Sequence, residues 1–415
     1  MPAAAVKRRI RMKNLIVGQS GGPTAAINSS LAGVIKRAFD SEKIENVYGM
    51  INGIDGFIEE KIVKLDRFRE TDRLKLLRQT PSSFLGSCRK KLPEPDENGE
   101  FYDKIFELFE KYNIGYFIYI GGNDSMDTVK KLSGYAALKN YDVKIAGIPK
   151  TIDNDLALTD HTPGYGSAAK FVANAVRQLA MDTKVYDMKS VVVAEIMGRN
   201  AGWLTAAAAL ANARELSPVD IILLPEAVFD EDAFLKKVKK VLERKNSTII
   251  AVSEGIKSKD GRYIGESEPA LMQDGFAHAA LGGAGQRIAK LISSRLNIKT
   301  RSIEFSTLQR CCSQNISLSD YEEAFSAGFE GTDFALGGNT GFMAGFKRCE
   351  GEAYKCDVVC FDVNLIANLE KKIPKEMIGE DGMSVTEEFI SYALPLIDGE
   401  PELQYENGVV AVEIL

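Results

Sequence analysis

The stretch YFIYIGGNDSMDTVKKL, residues 116–132, determines the fold class that we expect for the chain. Its continuous apolar run predicts a buried strand, and the two glycines that follow predict a tight turn. Met126, Val129 and Leu132 then recur at helical spacing. A strand, a glycine turn and a helix in this order form the repeating unit of an α/β protein with a parallel sheet.

The same unit recurs along most of the chain. Further apolar runs predict strands at residues 14–20, 143–149, 190–198, 220–226, 247–255 and 300–308, and helical patterns occupy 230–245 and 284–296. So many units with irregular spacing favour two doubly wound domains that share a cleft over a single (β/α)₈ barrel. Ligands of such folds bind beyond the carboxyl ends of the strands. The glycine-rich stretch 330–342 predicts a loop or turn.

Composition and charge restrict the classes of function. The chain has 415 residues, 45% of them hydrophobic and 27% charged, which is typical of a globular protein with two or three domains. A net charge of -6 argues against nucleic acid as a partner. No apolar run reaches about 18 residues, so we expect no association with a membrane through a spanning helix. Six scattered cysteines indicate reduced thiols and a cytoplasmic protein.

The amino-terminal residues 1–11 are basic but lack the apolar segment of a signal peptide. The sequence MKNLIVGQSGG, which begins at Met12, reads like a natural start. We therefore interpret residues 1–11 as an added or variable extension.

Two glycine turns have the properties of phosphate-binding loops. GQSGGPTAAIN (18–28) contains Gly21 and Gly22 between a strand and a helix, and IGGNDS (120–125) repeats the pattern with Gly122, Asp124 and Ser125. Small residues admit a ligand to the backbone, and a helix N-terminus offers free N–H groups to an anion. A tight turn with ordinary helix capping is the alternative interpretation.

The segment PKTIDND (149–155) is the strongest local signal, because it places Asp153, Asn154 and Asp155 directly after a buried strand. Carboxylates in such a place are costly unless they bind a metal or pair with a cation such as Lys150. One carboxylate is suited to accept a proton from a hydroxyl group, and another to bind Mg²⁺ through oxygen. An Asx-rich turn is the alternative.

Three arginines and one glutamate also lie near strand ends or on a loop. Arg199 lies in EIMGRNAGW, Arg310 in LQRCCS, Arg89 in SSFLGSCRKK and Glu254 in SEG. Guanidinium groups bind phosphate oxygens in a forked geometry, so together these arginines predict an anion-binding cleft.

Other enzyme classes fit less well. The chain has two histidines, and His161 reads as a loop residue near the acids, so neither it nor His278 is favoured as a base. The sequence contains no G-x-S-x-G segment, which argues against a serine hydrolase, and no G-x-G-x-x-G fingerprint of a nicotinamide dehydrogenase.

Taken in order, GGPTAAIN, SSFLGSCRK, GGNDS, PKTIDND, MGRNAGW, SEG and QRCCS resemble the phosphofructokinase family over residues 13 to about 350. The resemblance implies transfer of a phosphoryl group to the 1-hydroxyl of fructose 6-phosphate. It also implies two Rossmann-like three-layer (αβα) domains with parallel sheets and the active site in the cleft between them. On this basis, we assign residues 12–164 and about 318–362 to donor binding, and residues 165–317 and about 363–415 to the sugar phosphate. Mg²⁺ and a homodimer or homotetramer are further implications.

Asp124 and Lys150 indicate which phosphoryl donor is used. ATP-using members of the family typically have GGDGS and PGTIDND, with glycine at both positions, so this sequence resembles the pyrophosphate-dependent branch. Asp124 would repel the inner phosphate of ATP, since two like charges about 4 Å apart cost on the order of 4 kcal/mol at an effective dielectric constant of about 20. Lys150 would neutralise charge on the transferring group and on the leaving phosphate.

The resemblance assigns roles to individual residues. The residues implied in pyrophosphate binding are Gly21, Gly22, Arg89, Gly122, Asp124 and Ser125, with Asn123 as a metal ligand. The residues implied in sugar binding are Thr151, Ile152, Asp153, Met197, Gly198, Arg199, Glu254 and Arg310. The residues implied in catalysis are Asp153 as the base, with Lys150, Asp124, Arg199 and Asp155.

The sequence departs from the family pattern at three positions. Asn123 replaces the usual aspartate, and RCCS replaces RGGS after Gln309. Ser190, beside Lys189, replaces an arginine that in many members reaches the sugar phosphate of a neighbouring subunit. An ATP-dependent or dual-donor enzyme, and a non-catalytic regulatory subunit that binds sugar phosphate, are the alternatives.

Overall fold

The structure, a computed structural model, describes residues 12–212, 216–265, 283–351 and 353–415. The proposed extension 1–11 and His278 lie outside the described residues. The strands are β1 (Lys13–Gln19), β2 (Ile44–Met50), β3 (Ile62–Lys64), β4 (Ile114–Gly121), β5 (Lys144–Pro149), β6 (Ser190–Ile196), β7 (Val219–Leu223), β8 (Ser247–Ser253), β9 (Lys299–Glu304), β10 (Phe342–Arg348), β11 (Cys356–Asp362), β12 (Tyr405–Glu406) and β13 (Val409–Val410).

Helices connect most of these strands. The α-helices are α1 (Ile27–Phe39), α2 (Gly53–Ile58), α3 (Thr71–Gln79), α4 (Gly99–Lys111), α5 (Asn123–Lys139), α6 (Tyr165–Lys184), α7 (Trp203–Ala206), α8 (Glu231–Arg244), α9 (Ala284–Leu296), α10 (Leu308–Cys311), α11 (Leu318–Leu336) and α12 (Glu387–Ala393). Short 3₁₀ helices occupy Asp66–Arg69, Ala207–Ala211, Ser313–Asn315, Val363–Leu365, Lys375–Met377 and Leu394–Ile397.

The first sheet has the strand order β11-β10-β5-β4-β1-β2-β3 in the described chain. Strands β10, β5, β4, β1 and β2 are parallel, and the edge strands β3 and β11 are antiparallel to their neighbours. Alternate side chains enter opposite cores: Ile16 and Phe117 pack on one face, whereas Leu15 and Ile118 pack on the other. Burial on both faces explains the continuous apolar runs in the sequence.

The second sheet has the order β7-β8-β6-β9 and is parallel throughout. One face of this sheet packs against α6 and the alanine-rich 3₁₀ helix Ala207–Ala211. The other face packs against α8 and α9. The predicted α/β architecture with two parallel-dominated sheets is therefore confirmed. The antiparallel edge strands were not predicted, and the domain boundaries remain a prediction.

The prediction of a loop at 330–342 is wrong for Glu330–Leu336, which form the last turns of α11. The glycines of α11 allow close packing of this helix. A Cβ on Gly328 would lie 2.0 Å from the Ser30 carbonyl oxygen in α1, and a Cβ on Gly331 would lie 2.4 Å from Ile148 of β5. Glycine at 328 lets the backbones of α11 and α1 approach, and glycine at 331 leaves room for the side chains of β5 and β10, at a cost in helix propensity.

The parallel strands direct the predicted site residues to one place. Strands β1 and β4 end two residues before Gly21 and Asn123, and β5 ends directly before Lys150. Strands β6 and β8 end directly before Met197 and Glu254. The carboxyl ends of the two sheets therefore supply both walls of a cleft, as expected for open α/β sheets. Among the described residues, no helix combines the length and apolarity needed to span a bilayer.

Candidate active site

A cleft of about 700 Å³ lies where the strand ends of the two sheets meet. Its lining contains nearly all of the residues that the sequence predicted for the site. These are Gly21, Gly22, Arg89, Gly122, Asn123, Asp124, Ser125, Lys150, Thr151, Ile152, Asp153, Asp155, Met197, Arg199, Glu254 and Arg310. Gly198 lies directly behind this lining, where its N–H donates to Glu254 Oε1 at 3.4 Å. The roles assigned to these residues remain predictions.

The turn after β1 is attached to the loop that carries Arg89. The Gly21 N–H donates to the Cys88 carbonyl at 3.0 Å, and the Ser87 hydroxyl donates to the Gly21 carbonyl at 2.6 Å. Gly21 has φ +77°, a conformation that favours glycine. A Cβ on Gly22 would lie only 3.1 Å from Arg310 Nη1. Arg310, predicted for the sugar phosphate, therefore also borders the predicted donor turn.

Lys150 is almost completely buried at the centre of this wall. Its ammonium group donates to the Gly22 carbonyl at 2.5 Å. Burial lowers the pKa of Lys150 to about 7; the Asp153 carboxylate opposes this shift, and the charges of Arg310 and Arg89 add to it. Three cationic side chains thus converge on the glycine turn, and binding of an anion there will raise the proton affinity of Lys150.

The loop after β5 buries two carboxylates close together. Asp153 is held by Thr151, whose Oγ1 donates to Asp153 Oδ2 at 3.3 Å and accepts from the Asp153 N–H at 3.1 Å. Burial raises the pKa of Asp153, and the hydrogen bond from Thr151 and the charge of Lys150 oppose this shift. Burial, followed by the charge of Asp153, raises the pKa of Asp155 to about 7. Negative charge in this loop is therefore incompletely neutralised by the protein itself.

Asn154 separates these acids in a left-handed conformation, with φ +54°. It is fully buried, and its Nδ2 donates to the Tyr392 hydroxyl at 2.8 Å. That hydroxyl in turn donates to the Asp160 carbonyl at 2.8 Å. Helix α12 near the carboxyl terminus thus fixes the turn that presents Asp153 and Asp155. Tyr392 was not predicted as part of the site.

The turn after β4 starts helix α5. Asp124 lies in the first turn of this helix, where the helix dipole favours a negative charge. Ser125, predicted to bind pyrophosphate, is buried, and its hydroxyl donates to the Ser20 hydroxyl at 3.0 Å. Ser125 therefore joins the two glycine turns.

Asn123 forms hydrogen bonds through both ends of its amide group to a segment that was not predicted as part of the site. Its Oδ1 accepts from the Asn368 N–H at 2.6 Å, and its Nδ2 donates to the Leu369 carbonyl at 2.8 Å. Asn368, Leu369 and Glu370 line the cleft. The predicted metal ligand Asn123 thus keeps one lone pair of Oδ1 for a cation.

The second sheet supplies the opposite wall. Gln309, also not predicted, accepts from the Met197 N–H at 3.2 Å and so fixes the backbone next to Arg199. Burial raises the pKa of Glu254 to about 7, against the hydrogen bond from Gly198. Asn200 reaches across the cleft, where its Nδ2 donates to Glu370 Oε1 at 2.8 Å.

His161 lies in a loop, as predicted, but is buried and does not line the cleft. Its Nδ1 is 3.0 Å from Asp160 and its Nε2 is 2.8 Å from Glu323. Burial would lower the pKa of His161, but the Glu323 carboxylate and the hydrogen bond to Asp160 hold it well above the usual value. This histidine is therefore a buried cation in an ion-pair network.

Comparison with known proteins agrees with this geometry. The family model described as Phosphofructokinase matches residues 14–320. A pyrophosphate–fructose 6-phosphate 1-phosphotransferase of Methylococcus capsulatus is 38% identical over 400 residues, which cover 96% of this chain and 94% of that protein. A sulfofructose kinase of Alkalicoccus urumqiensis is 30% identical over 367 residues, which cover 88% of this chain and 91% of that protein.

Among solved structures, a pyrophosphate-dependent phosphofructokinase from Nitrosospira multiformis superposes with a TM-score of 0.87 at 33% identity, covering 97% of this chain and 99% of that chain. The matched family model spans both walls of the cleft, and the relatives align over almost their full length. The chain belongs to the phosphofructokinase family.

Proposed function

We propose that the protein reversibly transfers a phosphoryl group from pyrophosphate to the 1-hydroxyl of fructose 6-phosphate. The observation that carries this proposal is the pair of charged side chains in the donor half of the cleft. Lys150 is buried against the Gly22 carbonyl, and Asp124 occupies the first turn of α5 in the same cleft. Two side chains fill space where the ATP-using pattern has two glycines, and the name of the Methylococcus capsulatus relative agrees with a pyrophosphate donor.

In this proposal, pyrophosphate binds between the glycine turns at Gly21, Gly22 and Gly122. Arg89, Arg310 and Lys150 surround the first turn with positive charge, which suits an anion of high charge density. The donor raises the pKa of Lys150 on binding, so the lysine is cationic when the transferring phosphoryl group needs stabilisation. Arg199 stabilises the same group from the opposite wall.

Fructose 6-phosphate binds along the opposite wall, at Met197, Gly198, Arg199, Glu254 and Arg310. Asp153 accepts the proton of the 1-hydroxyl while that oxygen forms its bond to the terminal phosphorus of pyrophosphate. The bridging P–O bond breaks, and phosphate leaves with the bond's electron pair. A pKa raised by burial brings Asp153 closer to the working pH, which favours a general base. Positioning and electrostatics supply most of the acceleration in such a transfer.

The donor set of the cleft fits Mg²⁺, which prefers oxygen ligands. Asp153 and Asp155 carry raised pKa values because they are buried together, and a cation would relieve this charge. Asp155 and the remaining lone pair of Asn123 Oδ1 would hold the ion. When bound, it neutralises charge on the phosphate oxygens of the donor.

The test is a coupled assay with fixed fructose 6-phosphate and Mg²⁺ in which pyrophosphate and ATP are compared as donors. We expect a preference for pyrophosphate that the double variant Asp124→Gly/Lys150→Gly loses, because the repulsion worth about 4 kcal/mol at short range is removed. Lys170→Gly is the matched control, because Lys170 is a buried lysine outside the cleft. This control should lose stability without a change in donor preference.

Comparable or better turnover with ATP in the unmodified protein would refute the donor assignment and favour the ATP-dependent or dual-donor alternative. Sulfofructose is the matched acceptor control, since one relative carries that name. A higher kcat/KM for sulfofructose than for fructose 6-phosphate would overturn the acceptor assignment. No turnover with any combination of donor and acceptor would favour the alternative of a non-catalytic regulatory subunit.

We assign residues 12–164 and about 318–362 to the donor domain and residues 165–317 and about 363–415 to the sugar-phosphate domain. A cytoplasmic homodimer or homotetramer active in glycolysis follows from the family resemblance. Because Ser190 replaces the arginine that reaches a neighbouring subunit in many members, the assembly must complete the sugar-phosphate site differently there.

A further inference from the structure

A segment beyond the matched family model crosses the cleft beside the predicted donor site. We call residues 366–371 the strap. Its first residues, Ile366 and Ala367, are buried in the core of the first sheet. Its last residue, Lys371, accepts a hydrogen bond from Trp203 Nε1 on the second sheet's side at 3.0 Å. The strap therefore spans from one sheet to the other.

The strap is fixed by hydrogen bonds along its length. The Lys371 N–H donates to the Asp155 carbonyl at 2.7 Å, and Glu370 forms a bridge to Leu156. The Lys371 ammonium group donates to the carbonyls of Thr159 at 3.1 Å and Asp160 at 2.7 Å. Contacts of this number make the strap a fixed part of the wall.

Asn123 joins the strap to the donor turn through both ends of its amide. A carboxylate at this position would still accept from the Asn368 N–H, but it would place an oxygen 2.8 Å from the Leu369 carbonyl with no proton between them. Only an amide serves both groups. The departure from the family's aspartate at this position therefore has a structural reason, which is attachment of the strap.

The strap contacts the turn that carries Asp124, through the two hydrogen bonds of Asn123. Asn123 is adjacent in the chain to Asp124, which the family resemblance places beside the inner phosphate of a longer donor such as ATP. Leu369 lines the cleft with a side chain that is 52% exposed, and Asn368 and Glu370 line it on either side. An apolar side chain offers no hydrogen bond to a third phosphate.

We propose that the strap is a second determinant of donor length, which excludes polyphosphates longer than pyrophosphate by occupying the space next to Asp124. This inference rests on the proposed function, because it concerns the same donor site. Asp124 acts through charge, whereas the strap acts through volume. The two determinants are therefore separable by substitution.

The probe is inorganic tripolyphosphate, which adds one phosphate to pyrophosphate without a nucleoside. The measured quantity is the ratio of the tripolyphosphate inhibition constant to the pyrophosphate KM, with fructose 6-phosphate and Mg²⁺ saturating. In Leu369→Ala we expect this ratio to fall about tenfold or more, since relief of a steric clash of a few methyl groups has effects of that size. Leu369→Ala leaves the backbone hydrogen bonds of the strap in place, so the variant should fold.

Leu365→Ala is the matched control. Leu365 is 58% exposed, lies directly before the strap and does not line the cleft. Asn123→Ala is a second variant, which removes both hydrogen bonds between the donor turn and the strap backbone. A loss of metal binding that affects both polyphosphates equally cancels in the ratio of the tripolyphosphate inhibition constant to the pyrophosphate KM. An unchanged ratio in both Leu369→Ala and Asn123→Ala, or an equal fall in Leu365→Ala, overturns the proposal.

The experiment distinguishes failure of the proposed function from failure of the strap's role. If the unmodified protein does not turn over pyrophosphate, the proposed function itself is wrong. If it does turn over pyrophosphate and the ratio does not respond to the strap variants, only the role of the strap is wrong.

Discussion

At the scale of single residues, Asp153 carries the most specific prediction. Asp153→Asn keeps the size of the side chain and its contact with Thr151 but cannot accept the substrate proton. We expect kcat to fall by about 10²–10⁴, the range typical of a lost general base, with little change in the KM for fructose 6-phosphate. Steady-state kinetics at several pH values measures the separate effects on kcat and on the KM for fructose 6-phosphate. A variant that keeps more than about a tenth of the activity would exclude Asp153 as the base.

Some residues of the cleft can be recognised from local sequence patterns, and others cannot. Glycine turns and the crowded acids of 149–155 are local signals, because each lies directly after an apolar strand. Tyr392 contacts Asn154 across 238 residues of sequence, and Leu369 contacts Asn123 across 246. Neither contact has a local pattern, since it depends on where a distant segment is placed by the fold. Such contacts therefore could not be predicted from a single sequence.

At the scale of elements, the packing of α1 against α11 depends on glycine. A Cβ on Gly33 would lie 2.1 Å from the Phe325 carbonyl oxygen, which is a backbone atom that cannot move aside. We expect Gly33→Ala to lower the free energy of unfolding by about 1–3 kcal/mol, as for other overpacked sites. Urea denaturation measures this difference.

Gly134→Ala is the matched control for that substitution. Gly134 lies within helix α5, and its Cβ would meet no atom within 4 Å. Here alanine should raise the free energy of unfolding by about 0.5–1 kcal/mol, because alanine has a higher helix propensity than glycine and meets no clash. If both substitutions change the free energy of unfolding equally, then Gly33 is not required for the close approach of the α1 and α11 backbones.

The same elements show how far periodicity predicts secondary structure. Most of the predicted strands were found because they are apolar on both faces, whereas β9 lies at the edge of its sheet and is only partly buried. Strand β11 was not predicted, since its burial alternates at a sheet edge and its sequence CDVVCFD has no long apolar run. The end of α11 was wrongly taken as a loop because its glycines resemble turn signals, whereas they are required by packing that the sequence does not display.

At the scale of the whole molecule, the network around His161 joins distant parts of the chain. His161 bridges Asp160 and Glu323 of α11, and Arg348 of β10 donates to Asp160 at 2.9 Å and to the Tyr392 carbonyl at 3.1 Å. The charge of His161 and the carboxylates of Asp160 and Glu323 thus hold the loop that follows Asp155 against both α11 and β10. The hydrogen bonds and charge of His161 and Arg348 keep the pKa of Asp160 at about 2 despite burial.

This network predicts a pH dependence of stability. The pKa of His161 is higher in the folded protein than the unfolded value of about 6.5, so its contribution is complete below that pH and is lost as pH rises through the folded pKa. We expect His161→Phe, which keeps the stacking on Phe346, to be less stable than the unmodified protein, by a margin that shrinks as pH rises. Urea midpoints at pH values from about 6 to about 9 test this. A margin that is constant or grows with pH would show that the histidine is not a buried cation.

The arrangement of the whole molecule was predictable in outline. Alternation of apolar runs and helical patterns indicated two doubly wound units that share a cleft, because that is how parallel sheets bury both faces. The strap was not predicted, since its residues follow the last recognisable motif and have no periodicity. Its position depends on Asn123 and Trp203, which come from the two sides of the cleft.

The position of β10 in the first sheet has a consequence for synthesis on the ribosome. Strand β5 ends at Pro149, but its neighbour β10 begins only at Phe342. The four strands of the second sheet, by contrast, all lie between residues 190 and 304. The sheet that begins later in the chain is thus complete first. Until β10 has emerged, the nascent chain carries an unpaired edge along β5, the kind of edge that recruits strands from other chains.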